Sequence, residues 1–153
     1  MSNDLHAETV IDASPEQVWA VVSDLKRMSE WSPQTRKMII RGGPLREGST
    51  TININQAGWR VWPTTAKVTT FEPGRKLAFK VRENHAIWSY ELQPLEGGTR
   101  TRVIERREAP GGTTKLSHTL IDRFFGGDDN FDATLTRDMN TTLAKIKRTV
   151  EQG

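Results

Sequence analysis

Cysteine is absent from the 153 residues, which excludes disulfides, thiolate nucleophiles and thiolate metal sites. Histidine is scarce too. His6, His85 and His118 fall on a first strand, at the start of a later strand and early in a final helix, positions too scattered to assemble a three-ligand metal site. No run approaches the ~18 to 20 apolar residues of a membrane span, and the opening MSNDLHAETV lacks a charged start followed by an apolar stretch. A cytoplasmic protein without a membrane span is expected. There is no Gly-x-Ser-x-Gly elbow and no serine with an evident histidine partner. The glycine pairs Gly42-Gly43, Gly97-Gly98 and Gly111-Gly112 read as hairpin turns, and none follows a strand to open a helix with a dinucleotide fingerprint. Hydrolase chemistry is unsupported and no cofactor is expected.

Charge of one sign is also lacking, since 22 basic residues stand against 19 acidic ones and are spread along the chain. Nucleic acid is therefore not an expected partner. The densest cluster, Arg100, Arg102, Arg106 and Arg107, falls on a segment that alternates like a strand, and it reads as a solvated outer sheet face.

What is present is one domain's worth of chain, residues 1–153, long enough to bury about two thirds of its unfolded surface. Residues 5–12 read as a strand. Ser14-Pro15-Glu16-Gln17 supplies an N-cap, a first-turn proline and a capping-box glutamine for a helix that buries Val18, Trp19, Val22 and Leu25. Met28 and Trp31 predict a second short helical turn ending before Pro33. From 36 to 108, six strand-like runs separated by turn residues predict an antiparallel meander. Leu77, Phe79 and Val81 alternate with Lys76, Lys80 and Arg82, and Ala86, Trp88, Tyr90 and Leu92 alternate with Ser89, Glu91 and Gln93. Leu116, Leu120 and Phe124, then Leu135, Met139, Leu143, Ile146 and Val150, trace two helical stripes with a predicted break at Gly126–Asn130.

This order predicts an α+β helix-grip fold: a curved antiparallel sheet of six to seven strands around a long C-terminal helix, with two short helices after the first strand. A single helix about 10 to 12 Å across does not fill the concave side of a strongly twisted sheet, so a cavity is the expected remainder. A monomer is expected, because no apolar stripe is left over once sheet and helix are paired.

The segments ASPEQVWAVVSDLKRMSEWSP, FEPGRKLAFKV and WSYELQPLEGGTRTRV, with the long final helix, resemble the polyketide cyclase/dehydrase-like branch of the START/Bet-v superfamily, bacterial type, over essentially the whole chain. The resemblance implies the helix-grip fold and an internal pocket that different members use for lipids, polyketides, hormones or aromatic metabolites. It implies no particular catalytic residue, because the scaffold is shared and the chemistry is not.

Candidate cavity residues are Trp31, Trp62, Phe79, Trp88, Tyr90, Phe124 and Phe131, each of which also has a plain core reading. Glu105 shares a strand face with Thr101 and Val103, which points it inward, whereas Ile104 argues for the opposite phase. An inward Glu105 beside Trp88 and Tyr90 would be desolvated, with a raised pKa, and able to exchange a proton. An outward one would pair with arginines. His118 has Asp122 at i+4, a surface pair or a base at the pocket mouth. Three functions compete: binding of a small hydrophobic ligand, a cyclase or dehydratase using Glu105, Tyr90 or His118, and a toxin-like interaction protein with no essential ligand.

Overall fold

Seven strands form one antiparallel sheet in a computed structural model that describes residues 4–109 and 128–152, the side chains of 128–131 excepted. In chain order they are β1 (Leu5–Ile11), β2 (Thr35–Arg41), β3 (Thr50–Ala57), β4 (Arg60–Glu72), β5 (Lys76–Val81), β6 (Ile87–Leu95) and β7 (Arg100–Glu108). Their spatial order is β1-β7-β6-β5-β4-β3-β2, so the meander runs across the sheet and β1 closes onto its last strand. Helix α1 (Pro15–Val22), a 3₁₀ turn (Leu25–Arg27) and α2 (Met28–Trp31) lie between β1 and β2, and α3 (Asp128–Gln152) ends the chain. This is the predicted helix-grip arrangement.

Local chemistry explains the entry to α1. Ser14 Oγ accepts from the Gln17 backbone N–H at 3.3 Å while Gln17 Oε1 accepts from Ser14 N–H at 3.0 Å, a reciprocal cap over a first-turn proline. One face of α1 then buries Val18 and Val22. Helix α3 buries Met139, Leu143 and Ile146 in the same core as Ile11, Trp31, Leu77 and Val103, and Leu135 is buried one turn before them. Polar ties fix its position: Trp31 Nε1 donates to Thr149 Oγ1 at 3.2 Å, Lys147 Nζ to Val10 O at 2.7 Å, and Asp12 N to Glu151 Oε2 at 2.8 Å. The helix is therefore fastened at its C-terminal half, against β1 and α2.

A bulge in β4 between Val68 and Thr70 shifts the register against β5, so that Val68 and Phe71 both face inward although three residues apart. Phe71 meets Trp19 edge-on with ring centroids 5.6 Å apart, which explains the packing of that helix tryptophan.

Two readings are corrected. Arg107 is not part of a solvated face: it follows Glu105 on the inward side of β7 and is 1% exposed, while Arg100, Arg102 and Arg106 point outward. Period-two alternation separates the odd from the even arginines, and burial depresses the Arg107 pKa while the charges of Asp132 and Asp4 hold it up. Ser89, assigned to the wet side, is buried there, between Ala78 on β5 and Arg106 on β7 in the register. The backbone is helical from Asp128, where α3 begins; Gly126 and Gly127 of the expected break, with Leu116, Leu120 and Phe124, lie outside the described residues.

Because α3 carries the core of the concave side, Ile146→Ala is expected to lower the unfolding free energy by about 2–5 kcal/mol. Ser14→Ala, which removes only the cap, should lose ~1 kcal/mol. Urea titrations followed by tryptophan fluorescence check both; an Ile146→Ala loss no larger than the cap's would contradict the packing of α3.

Candidate functional site

The hollow of the sheet is not filled by α3. A cavity of about 100 Å³ remains between the sheet, α2 and the stretch of α3 from Leu135 to Thr142. Its walls have two characters. On one side lie Phe79, Val81 and Trp88 from β5 and β6, with Met28, Met38, Leu135 and Met139 opposite. The methionines give flexible, polarizable walls that adapt to an occupant.

The other side is polar, and its origin is an inversion of the usual strand pattern. In β3 it is Thr51, Asn53 and Asn55 that face inward, while Ile52 and Ile54 take the outer face. Buried amides are tolerated because they satisfy one another. Thr51 Oγ1 donates to Asn53 Oδ1 at 2.9 Å, and Asn53 Nδ2 and Asn55 Nδ2 donate to Thr64 Oγ1 on β4 at 3.3 and 3.0 Å. At the edge, Gln34 Nε2 donates to Asp138 Oδ2 at 3.0 Å, linking the segment before β2 to α3.

The cavity's inner end is made by the chain's one tyrosine and a carboxyl group. Tyr90 and Glu105 are register partners on β6 and β7, and Tyr90 Oη donates to Glu105 Oε2 at 3.0 Å. Glu105 is 3% exposed, and its second oxygen, Oε1, has no partner among the described residues. Burial pushes its pKa up to about 8 against a smaller downward pull from the Tyr90 hydrogen bond. Tyr90 is raised well above its ordinary value, first by burial and then by the neighbouring carboxyl. At pH 7 the pair is thus an uncharged acid beside an uncharged phenol.

Phe79, Trp88, Tyr90 and Glu105 are brought together at this cavity. Trp31 is fully buried in the core instead, with its indole N–H bound to Thr149 and the Arg27 guanidinium 5.1 Å above its ring. Trp62 faces inward opposite Asn55 but is half-buried and outside the lining. Phe124 and His118 lie outside the described residues, as does the side chain of Phe131, and His6 and His85 are exposed. Among the described residues no group of three His, Asp or Glu side chains could hold a metal ion. Sequence reasoning missed Asn53, Asn55, Thr64, Gln34 and Asp138. The legible signal for the first two was the strict alternation of polar residues with isoleucine in TTININ.

A carboxyl whose folded pKa lies above its unfolded one binds its proton more tightly in the native state. The stability it adds is complete below about pH 4.5 and is lost as pH rises toward about 8, at up to ~1.4 kcal/mol per pH unit. Glu105→Gln is therefore expected to gain on the wild type steadily across that window in urea unfolding at a series of pH values. Parallel curves for the two proteins would show that Glu105 is ionised in the fold.

Comparison with known proteins agrees with this fold. A family model described as polyketide cyclase/dehydrase and lipid transport matches residues 3–151. The ZhuI aromatase/cyclase from a Streptomyces species superposes with a TM-score of 0.74 at 15% identity, covering 98% of this chain and 94% of that one. A polyketide-cyclase-like protein from Corynebacterium glutamicum is 28% identical, with a TM-score of 0.62 and coverage of 99% and 93%. The di-domain aromatase/cyclase StfQ of steffimycin biosynthesis matches at a TM-score of 0.75 and 11% identity, with 97% of this chain covering 50% of that one. No curated protein matches the sequence. With the family model spanning almost every residue and the helix-grip fold in place, the chain belongs to the polyketide cyclase/dehydrase and lipid transport family.

Proposed function

We propose that the protein binds a small hydrophobic or aromatic molecule in the cavity between the sheet and α3. The observation that carries this reading is the cavity's division into an aromatic and methionine wall and a hydrogen-bonded floor of Asn53, Asn55 and Thr64, the apolar-with-directed-polar pattern of ligand sites. Its volume of about 100 Å³ is of the order of the ~150 Å³ in which an apolar protein cavity holds benzene, so the cavity as it stands suits an occupant no larger than a single ring or a short chain. A multi-ring occupant requires the N-terminal half of α3 to move away from the sheet. The described polar ties hold mainly the C-terminal half, which leaves the Gln34–Asp138 link as the one to break. The family's name and its aromatase/cyclase structural relatives support the same reading.

A second reading, a cyclase or dehydratase, is favoured by the Tyr90–Glu105 pair. An uncharged carboxylic acid in an apolar site is a proton donor at neutral pH. In a dehydration its proton would leave with a substrate hydroxyl as water, and the carboxylate would recover one from the adjacent carbon as the double bond forms.

Native mass spectrometry of gently purified protein, with identification of whatever dissociates on denaturation, tests the binding reading. A co-purified lipid or aromatic metabolite is the expected result. Trp88→Ala, which removes part of the wall from a half-buried position, should reduce uptake of a fluorescent aromatic probe about tenfold with the fold intact by circular dichroism. Equal uptake by both proteins would remove Trp88 from the site.

A further inference from the structure

Pairing the sheet with α3 leaves an apolar remainder on the sheet's outer face. The alternation that turns Asn53, Asn55 and Thr64 toward the cavity turns Ile52, Ile54, Val61 and Pro63 outward, and the same period on β2 puts Ile39 beside them. Register makes these side chains contiguous: Ile39 stands opposite Ile52, and Ile54 opposite Pro63, with Val61 next to Pro63 along the same face of β4. Ile39 is 39% exposed and Val61 49%. Beyond them the hairpin from β3 to β4 closes through Gly58 and Trp59 alone, with Gly58 at a φ of +62° that glycine adopts without strain. Two residues leave no slack to fold the indole back. Trp59 accordingly stands 81% exposed, with the Arg60 guanidinium 4.8 Å from its ring centroid. Single apolar residues on a surface need no explanation, but a contiguous run ending in an exposed tryptophan does.

Charge indicates what covers this face. Strands β2, β3 and β4 carry Arg36, Lys37, Arg41, Arg60 and Lys67 against one carboxylate, Glu72. Lys37 pairs with Ile54 in the register, Arg41 and Lys67 both pair with Thr50, and Lys80 on β5 pairs with Lys67, so exposed cations are interleaved with the apolar side chains and border them. Arg82 extends that border, and the neighbouring Glu83 carboxylate is taken up by the Thr65 N–H and hydroxyl at 2.8 and 2.9 Å. We propose that the outer face of β2 to β4 docks on an anionic lipid bilayer, with Trp59 seated among the headgroups, Ile39, Ile54 and Val61 against the interface, and Lys37, Arg41 and Lys67 toward lipid phosphates. Indole rings settle at headgroup level, and cations beside an apolar surface gain from anionic lipid. A second copy of the chain fits less well, because a two-fold interface lays a surface on itself and would set these cations against their own kind. A fluid interface also needs no matching pocket for a lone protruding tryptophan. Docking of this kind is independent of what the cavity holds. It would bring the hairpin end of the sheet, where the cavity-lining Thr35 and Asn55 pair, close to the membrane.

The full chain, with no added ligand, is sedimented with vesicles of phosphatidylcholine alone and of phosphatidylcholine with about 30% phosphatidylglycerol. Binding at least about tenfold tighter to the anionic vesicles is expected, with most of the preference lost at about 0.5 M salt. The double variant Trp59→Ser/Val61→Ser should bind the anionic vesicles about tenfold more weakly with unchanged circular dichroism. Lys37→Glu/Lys67→Glu should lose about tenfold or more, whereas Lys145→Glu/Arg148→Glu, an equal charge change at exposed positions of α3 on the other side of the sheet, should lose little. Failure to sediment with anionic vesicles, equal binding to both vesicle types, equal binding by wild type and Trp59→Ser/Val61→Ser, or equal losses from the two charge reversals would each overturn the proposal. A wild type that light scattering finds dimeric, and that Trp59→Ser/Val61→Ser returns to monomer, would assign the face to self-association and overturn it as well. Because vesicle binding is read with the cavity unaddressed, each of these failures leaves the ligand-binding reading standing.

Discussion

A twisted sheet of seven strands makes a trough wider than one helix, and everything of interest in this protein follows from how that mismatch is handled. The C-terminal half of α3 is pulled tight onto β1 and α2 by Ile146 and Leu143 and by the bonds of Trp31 to Thr149 and of Lys147 to Val10. The N-terminal half then stands over the strands farther along the sheet, and the gap opens beneath it. Filling the gap with larger side chains would give a more stable domain. The chain spends the position instead on amides, hydroxyls and one carboxyl, which is the pattern of a binding surface and not of a core.

The polar groups are tolerable only because they are organised. Thr51, Asn53, Asn55 and Thr64 close a network across β3 and β4, so four hydrogen-bonding side chains cost little while unoccupied. Glu105 obeys a different logic, since burial disfavours its carboxylate relative to the acid and raises its pKa.

Much of the fold was legible. The capping box at Ser14–Gln17, the period-two runs of β5 and β6 and the Leu135–Ile146 stripe each have a local cause that survives in the structure. The site was legible where aromatic and apolar residues alternate with lysines, as at Phe79. It was ambiguous at Glu105, because Ile104 is buried on the outer face and gives β7 apolar residues on both sides. At Arg107 the density of arginines obscured the strand period that places it inward. In β3 the usual rule is inverted, and no local property of Asn53 or Ile52 states which face the helix will cover. That choice is made by long-range pairing, which sequence periodicity alone does not encode.

The inverted strand has an effect far from the cavity. Moving Ile52 and Ile54 to the outer face, where Ile52 meets Ile39 on β2, leaves greasy β-branched side chains next to the sheet's open border. Such borders recruit further strands from other molecules. Here β2 carries exposed Arg36, Lys37 and Arg41, so a second copy laid against it edge to edge would bring like charges together. The polar pattern that hollows the inside of β3 thus leaves the charges of β2 as the feature that opposes strand addition at this edge.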